Sequence, residues 1–411
     1  MDIEKLRQDF PILGRIIDSN PLIYFDNAAT SQKPNMIIDA VSDFYRKYNS
    51  NVLRGVYPLA EQATQMYEDA RQKVSIFVNA YDSSEIIFTG GTTEGINFIA
   101  NSWAHDSLKE GDEIVLTEVE HHANFLPWVL LAEKKGLKLK FIKINPQTFK
   151  LEFDPNLITE KTKLVSVIHS SNVLGDVWSE GQLEEMIQKA NAVGAKVLID
   201  SAQSVAHKKI DIQKLNPAFL VFSGHKILGP TGIGVLYIKK DLHEKVKPYR
   251  VGGSMVRSAV SECPIWNESP QKFEAGTPPI AQAVGLGSAI DYLTQNINFE
   301  ELKKYEAKLC EKLIDGLLKI PGIHIVGNIV ELKKQGHLVS FFVDGMHVHD
   351  VASMLGNKNI CTRAGHHCAQ PLSAKLKIES SLRVSFYFYN NEKEVDIFLK
   401  ELKSVISFLK K

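Results

Sequence analysis

Residues 196–226 read KVLIDSAQSVAHKKIDIQKLNPAFLVFSGHK, and this stretch decides the fold class. Two apolar runs, 196–199 and 219–222, have the length and composition of strands that are buried on both faces. The interval between them is long enough for one crossover, which predicts neighbouring parallel strands. Because functional residues collect at the carboxyl ends of such strands, Asp200 and Lys226 are the first candidate site residues.

Similar short runs recur along the first two thirds of the chain, separated by stretches with helical spacing. This alternation predicts an α/β domain built on a mostly parallel sheet, which we place at residues 21–285. The further predicted strands are 85–89 (EIIFT), 113–117 (EIVLT), 163–168 (KLVSVI) and 235–238 (VLYI).

After about residue 285 the pattern changes, and we predict a smaller α+β domain formed by residues 1–20 and 286–411. A short amphipathic helix at the N-terminus could pack on it. Residues rich in Gly, Ser and Pro predict a long ordered loop before this domain. The predicted helices are 6–10, 299–319 and 392–411, the strands 337–343 and 382–388, and the loop 249–277.

Composition excludes several classes of function. The 411 residues contain 48 Lys+Arg and 48 Asp+Glu, and this zero balance argues against nucleic-acid binding. No apolar run is long enough to predict a membrane span, and the acidic first residues do not resemble a secretory signal. Four scattered cysteines favour a reducing cytoplasmic setting over a disulfide framework, and their spacing predicts no metal site.

Lys226 follows a buried strand, which is an unusual place for a lysine. It could be a surface residue near a turn, or a lysine that forms a Schiff base with pyridoxal phosphate. Asp200, 26 residues earlier, could pair with the ring nitrogen of that cofactor, and Gln203 could contact its phenolate oxygen. The plainer interpretation is that Asp200 caps a turn.

A glycine-rich junction, 90–95 (GGTTEG), follows the predicted strand at 85–89. Amides at a helix N-terminus suit a phosphate, and Thr92 and Thr93 add hydroxyl groups. Glycine turns with such caps are common, so the motif is weak alone. Together with Ser223 and His225 it predicts a phosphate-binding cup.

Adjacent histidines follow the strand at 113–117. His121 and His122 could be metal ligands, although neighbouring side chains on a strand point apart. A histidine could also stack on an aromatic cofactor, and we assign that role to His122. A core histidine is the remaining possibility.

The strongest signal is 363–369 (RAGHHCA). A thiol beside Arg363 and two histidines favours the nucleophilic thiolate, which makes Cys368 the candidate nucleophile. Arg383, on a predicted strand, could hold a substrate carboxylate in a bidentate contact, or form an ordinary salt bridge.

At this point the sequence resembles the pyridoxal-phosphate cysteine desulfurases of group II, SufS type, over essentially the whole chain. Several of the shared motifs occur throughout the class V aminotransferase fold, whereas RAGHHCA is specific to group II. The motifs are 9–13 (DFPIL), 24–34 (YFDNAATSQKP), 91–97 (GTTEGIN), 120–124 (EHHAN), 171–175 (SNVLG), 200–203 (DSAQ), 223–234 (SGHKILGPTGIG), 273–278 (FEAGTP) and 363–369.

The resemblance implies fold type I, with a seven-stranded mostly parallel sheet in the large domain, and a homodimer. It implies that Asn172 supports cofactor or substrate and that Thr277 of the second subunit reaches the phosphate. It also implies that Arg383, helped by Asn172 and Arg363, binds the carboxylate of L-cysteine. Arg54 is a further expected substrate residue that crosses between subunits.

The implied reaction converts L-cysteine and an acceptor thiol into L-alanine and a persulfide carried by Cys368, which supplies sulfur for iron–sulfur cluster assembly. Selenocysteine lyase, kynureninase-like or aminotransferase activity on the same fold is an alternative, as is a non-catalytic sulfur carrier. Leu53, Tyr57 and Gly90 depart from the residues usual in relatives. They border the expected entrance to the site, so they leave the reaction class unchanged.

The acceptor is expected to be a SufE-like protein or a zinc-containing SufU-like protein. His349 lies 19 residues before Cys368. In relatives with a zinc-containing acceptor, a histidine at this position resembles one that captures the partner's zinc. The pair His347 and His349 could equally be part of a solvated turn.

Overall fold

The computed structural model describes residues 2–260 and 263–410. Within those residues the central sheet has eight strands, and the six runs predicted for it are all strands. In spatial order the strands are Ile86–Thr89, Gly234–Ile238, Phe219–Ser223, Lys196–Asp200, Thr162–Ile168, Glu113–Thr117, Lys138–Ile144 and Leu151–Glu152.

The sheet is mostly parallel, as predicted. Gly234–Ile238 runs antiparallel to both of its neighbours, and the edge strand Leu151–Glu152 is antiparallel to Lys138–Ile144. This two-residue edge strand raises the number of strands from the expected seven to eight. The sequence analysis missed Lys138–Ile144 because lysines alternate with its apolar residues, as suits a strand whose side chains are partly exposed.

Helices cover both faces of this sheet. Alternate strand residues enter opposite cores: Val197 and Ile199 lie in one, and Leu198 in the other. The longer helices of this part are Asn35–Asp43, Pro58–Phe77, Thr92–Ile99, Leu126–Lys135, Gln182–Ala192 and Ile280–Asn296.

The C-terminal part forms a second, antiparallel sheet of four strands within the described residues. Both strands predicted here are present, although the second ends at Ser385. The helix predicted at 392–411 spans Glu392–Leu409 and begins with a capping box at Asn391. The strands, in order, are Ile323–Val326, Leu338–Val343, Ser381–Ser385 and Arg363–Gly365, and the other helices are Phe299–Leu317, Ile329–Gln335, Val348–Gly356 and Gln370–Leu376.

The N-terminal helix spans Ile3–Arg7, three residues before the predicted start. Asp2 caps it by accepting from the Lys5 amide, and the residue before Pro11 is extended, as proline requires. Arg7 donates to Glu394 at 2.6 Å, so this helix packs on the C-terminal part as expected.

The chain passes between the two parts close to the predicted boundary. Ile23–Tyr24 pairs with Ile360–Cys361, and Phe25 lies in the core of the C-terminal part. Residues 23–25 therefore pack with the second sheet, whereas the proposed boundary assigns them to the larger domain. The division at residues 21 and 285 stays a prediction.

The predicted loop 249–277 contains two short paired strands, Val256–Ser258 and Ile265–Trp266. Residues 261 and 262, between them, lie outside the described residues. In the part of the chain that the structure describes, no helix has the length and apolarity needed to cross a membrane.

Candidate active site

A cavity of about 500 Å³ opens at the carboxyl ends of the central strands, against the second sheet. It brings together most of the residues that the sequence analysis selected from distant parts of the chain. Those that line it are Thr92, Thr93, Asn172, Asp200, Gln203, Ser223, His225, Lys226, Arg363, Cys368 and Arg383.

Lys226 enters the cavity from the short turn Gly224–Lys226, directly after the strand Phe219–Ser223. Burial lowers the pKa of its amine to about 8, and the nearby Asp200 carboxylate only partly opposes this. A larger fraction of the amine is therefore neutral near pH 7 than for a solvated lysine. A neutral amine is the form that attacks a carbonyl group.

Asp200 is the last residue of the strand Lys196–Asp200 and is 2% exposed. One carboxylate oxygen accepts from the Ala202 amide at 2.9 Å. Burial raises the pKa of Asp200, while the Ala202 amide and Lys226 act in the opposite direction. A buried carboxylate is stabilised by a cationic partner, so this position suits a protonated ring nitrogen. Gln203, nearby, donates to the Ala28 carbonyl at 2.9 Å.

The predicted phosphate cup is assembled around Ser223. Its hydroxyl accepts from the Thr92 amide at 2.9 Å, at the start of the helix Thr92–Ile99. This close approach depends on glycine, since a Cβ at Gly234 would lie 2.4 Å from the Cα of Gly91. Together these groups place amides and hydroxyls at a helix N-terminus beside the cavity, which is an arrangement suited to a phosphate.

Of the two adjacent histidines, His121 lines the cavity, whereas the sequence analysis assigned the stacking role to His122. A short turn, His122–Asn124, begins immediately after His121 and directs the two rings differently. His122 instead accepts from the Gln370 amide through Nε2 at 3.3 Å. Burial lowers the pKa of His121 to about 4, so its ring is neutral. His121 therefore replaces His122 as the candidate stacking residue, and the stacking role itself stays a prediction.

Arg383 is 2% exposed and lies beside Asn172. Its Nη1 donates to the Asn172 carbonyl at 2.9 Å, and its Nη2 donates to Asp26 at 3.2 Å. Arg363 donates hydrogen bonds to the same Asp26 carboxylate through Nε and Nη2, and the shortest of these contacts is 2.6 Å. The sequence analysis did not select Asp26. Its motif was visible, but nothing in the sequence indicates that it joins two arginines more than 330 residues away.

Cys368 lies in an exposed loop that also lines the cavity. His367 and Cys368 both have left-handed backbone, with φ of 53° and 56°, which costs a residue with a side chain roughly 1 kcal/mol. Two contacts hold this conformation. The side-chain amide of Asn172 donates to the His367 carbonyl at 2.6 Å, and the backbone amide of His122 donates to the Cys368 carbonyl at 2.8 Å. The loop therefore presents the thiol to the same cavity as Lys226.

Besides His122, two predicted residues lie outside the cavity. Thr277 lines a separate depression, where the Asn51 side chain approaches its hydroxyl at 3.5 Å. Arg54 is exposed. The contacts that Thr277 and Arg54 are expected to make with the site of a second subunit stay a prediction.

The cavity residues fit pyridoxal phosphate. Three buried polar atoms of residues that line the cavity have no hydrogen-bond partner among the described residues: Asn172 Oδ1, His367 Nδ1 and Arg383 Nε. Buried polar groups are normally paired, so these atoms indicate a polar ligand. Lys226 would hold the cofactor, Asp200 its ring nitrogen, and the cup around Ser223 its phosphate.

A lysine after a buried strand, a carboxylate at the end of the next strand and an anion cup define an enzyme of the aminotransferase type. The family model for class-V aminotransferases matches residues 23–398, and the chain belongs to this family. Among the described residues, no group of three or more potential ligands could hold a metal ion.

Curated relatives of this chain carry a more specific name. A probable cysteine desulfurase of Synechocystis is 45% identical over 404 residues, covering 98% of this chain and 95% of the relative. A cysteine desulfurase of Escherichia coli O7:K1 is 42% identical, covering 98% of both chains.

Solved structures agree with this similarity. The cysteine desulfurase CsdA of Escherichia coli, in an S-sulfonic acid form, matches with a TM-score of 0.90 and 34% identity, covering 99% of both chains. The apo cysteine desulfurase of Thermococcus onnurineus also gives 0.90, with 39% identity and coverage of 98% of both chains.

Proposed function

We propose that the protein is a cysteine desulfurase that uses pyridoxal phosphate to convert L-cysteine and an acceptor thiol into L-alanine and a persulfide. The observation that carries this proposal is the position of Cys368. Its loop belongs to the C-terminal part of the chain, yet it lines the same cavity as Lys226. The relatives named above are consistent with this activity.

Each side chain has a defined task. Pyridoxal phosphate supplies an electron sink for the charge left on Cα when its proton is removed. Lys226 holds the cofactor and then accepts the Cα proton at Nζ. Arg383 binds the substrate carboxylate with the help of Asn172, and each of these two residues has a buried polar atom without a partner among the described residues. His121 packs against the ring and keeps its orientation.

Cys368 performs the sulfur transfer. Its Sγ, as thiolate, attacks the substrate sulfur, so that an S–S bond forms as the Cβ–S bond breaks. The electrons of the broken bond return to the carbon skeleton, which takes up protons and leaves as alanine. Cys368 keeps the sulfur as a persulfide until an acceptor thiol removes it.

The products test this proposal. With L-cysteine and a reducing thiol, we expect the cofactor-loaded protein to form alanine and sulfide in equal amounts. Formation of pyruvate and ammonia instead of alanine would show a lyase that eliminates the thiol, and it would overturn the assignment.

We also propose a homodimer in which Arg54 and Thr277 reach the partner's site. Apolar side chains near Arg54 are unusually exposed: Val56 is 94% exposed and Tyr57 is 51% exposed. Exposed apolar groups of this kind are typical of interaction surfaces. Sedimentation should give a dimer at micromolar concentration, and an active monomer would contradict it.

We also propose that the protein supplies sulfur for iron–sulfur cluster assembly, and that a SufE-like or zinc-containing SufU-like protein accepts this sulfur. His349 supports the second type. It is exposed in the first turn of the helix Val348–Gly356, and a Cβ at Gly365 would lie 3.8 Å from its Nε2. An accessible imidazole therefore lies beside the strand that leads to Cys368, where it could bind a partner's zinc.

Replacing His349 with alanine tests this contact. We expect His349→Ala to keep the basal reaction and to lose stimulation by a zinc-containing acceptor, because the imidazole that exchanges onto the zinc is gone. Steady-state rates with and without the acceptor measure this. His105→Ala, an exposed histidine on the large part, is the control and should respond normally. Full stimulation of His349→Ala would mean that the acceptor docks by other contacts.

A further inference from the structure

Asp26 joins the two arginines that border the cavity. Arg363 and Arg383 lie directly opposite each other on adjacent antiparallel strands. Like charges in that arrangement repel, and the repulsion destabilises the strand pair. Asp26 lies against both: Arg363 Nε and Nη2 contact its two oxygens at 3.0 and 2.6 Å, and Arg383 Nη2 contacts Oδ1 at 3.2 Å.

The position of Asp26 is fixed by backbone contacts rather than by the arginines. Asp26 forms an isolated bridge with Ser385, whose amide donates to the Phe25 carbonyl at 2.8 Å. The Ser385 hydroxyl then accepts from the Ala28 amide at 2.9 Å. These backbone contacts therefore position the Asp26 carboxylate, and we expect the backbone around Asp26 to keep its conformation when the charge is removed.

The two guanidinium groups are left with unequal capacity for a ligand. Arg363 uses its Nε–Nη2 edge on Asp26, which is the edge that would otherwise form a bidentate contact with a substrate carboxylate. Arg383 donates to Asp26 through Nη2 and to the Asn172 carbonyl through Nη1, and its buried Nε has no partner among the described residues. Arg383 thus keeps one unpaired N–H, at Nε, while the Nε–Nη2 edge of Arg363 is occupied.

Within the cluster of Arg363, Arg383 and Asp26, the charges leave one surplus cation. The neighbouring His121 and His367 are neutral, since burial lowers their pKa values to about 4 and 3. Burial also raises the pKa values of Tyr24 and Cys361, which keeps both side chains uncharged. The two arginines and Asp26 therefore carry a net single positive charge, which one carboxylate neutralises.

We propose that Asp26 is a positioning residue that determines specificity: it occupies the Nε–Nη2 edge of Arg363 and leaves Arg383 as the arginine for the substrate carboxylate, so that the site selects amino acids with a single carboxylate. This inference rests on the proposed function, since it concerns the same amino-acid site. If the side chain of the amino-acid ligand carried a second carboxylate, that group would be repelled by Asp26. It would also find the Nε–Nη2 edge of Arg363 already paired. Removing the charge of Asp26 would release Arg363 to bind that second carboxylate.

Calorimetric titration of the cofactor-loaded protein with L-alanine and with L-aspartate tests the inference. The measured quantity is the ratio of the two dissociation constants. The native protein should favour L-alanine. In Asp26→Asn the ratio should shift toward L-aspartate by about tenfold or more, as expected when the Arg363 guanidinium gains a free anion partner. Combining Asp26→Asn with Arg363→Gln should return the ratio toward the native value.

The ratio separates specificity from loss of structure. A variant that merely disturbs the fold weakens both ligands alike and leaves the ratio unchanged, which would overturn the inference. A shift that persists in the double variant would also overturn it, because the shift would then not depend on Arg363. Failure of the native protein to bind either amino acid would instead refute the proposed function, and this inference with it.

Discussion

Lys226→Ala should abolish turnover and remove the covalent link between the protein and its cofactor. Lys226 is the lysine that lines the cavity, and burial lowers its pKa to about 8, which favours the nucleophilic amine. Without the amine, the protein loses both the attachment point and the base for the Cα proton. We expect the visible absorption of the linked cofactor to vanish and alanine formation to fall below detection.

Two further variants make this result specific. Lys226→Arg keeps a positive charge but has no amine of this type, so it should fail in the same way. Lys134→Ala changes an exposed helix residue and should behave like the native protein. A linkage in Lys226→Ala that borohydride still reduces onto the chain would show that another lysine holds the cofactor.

Cys368→Ala should keep the cofactor and the bound substrate while losing sulfur transfer. The thiol lies on the loop before Gln370–Leu376, whereas Asp200 and Lys226, which we propose to hold the cofactor, lie at the end of a central strand and in the turn after one. Removing the thiol should therefore lower desulfuration of L-cysteine by about a thousandfold or more, equivalent to ~4 kcal/mol of barrier, because Cys368 is the one cysteine among the described residues that line the cavity.

The spectrum and a second cysteine variant serve as controls. The cofactor absorption of Cys368→Ala should still change on addition of L-cysteine. Cys263→Ala removes another exposed thiol and should retain its activity. Undiminished sulfide release from Cys368→Ala would remove the nucleophile role. Retention of selenocysteine cleavage alone would favour the alternative lyase activity.

The central strands could be predicted from sequence because they are buried on both faces. Phe219–Ser223 and Lys196–Asp200 consist almost entirely of buried apolar residues, so a continuous apolar run identifies them. Lys138–Ile144 has partly exposed residues and interrupting lysines, which gave no such run. The ends of these strands could be predicted for the same reason, and with them the positions of Asp200 and Lys226.

Contacts between distant segments could not be predicted in this way. The choice between His121 and His122 depends on a single turn that begins at His122. The role of Asp26 depends on the register that places Arg363 opposite Arg383, and on the short strand that brings residues 23–26 to the second sheet. Spacing along one chain contains no information about such tertiary pairings.

The most direct test of the central claim is the mass of the peptide that contains Cys368 after a single turnover. The cofactor-loaded protein is mixed with one equivalent of L-cysteine, without acceptor or reductant, and is then alkylated and digested. We predict that this peptide gains the mass of one sulfur atom, in proportion to the alanine formed. Alanine and sulfide formed while Cys368 stays unmodified would contradict a persulfide on this residue.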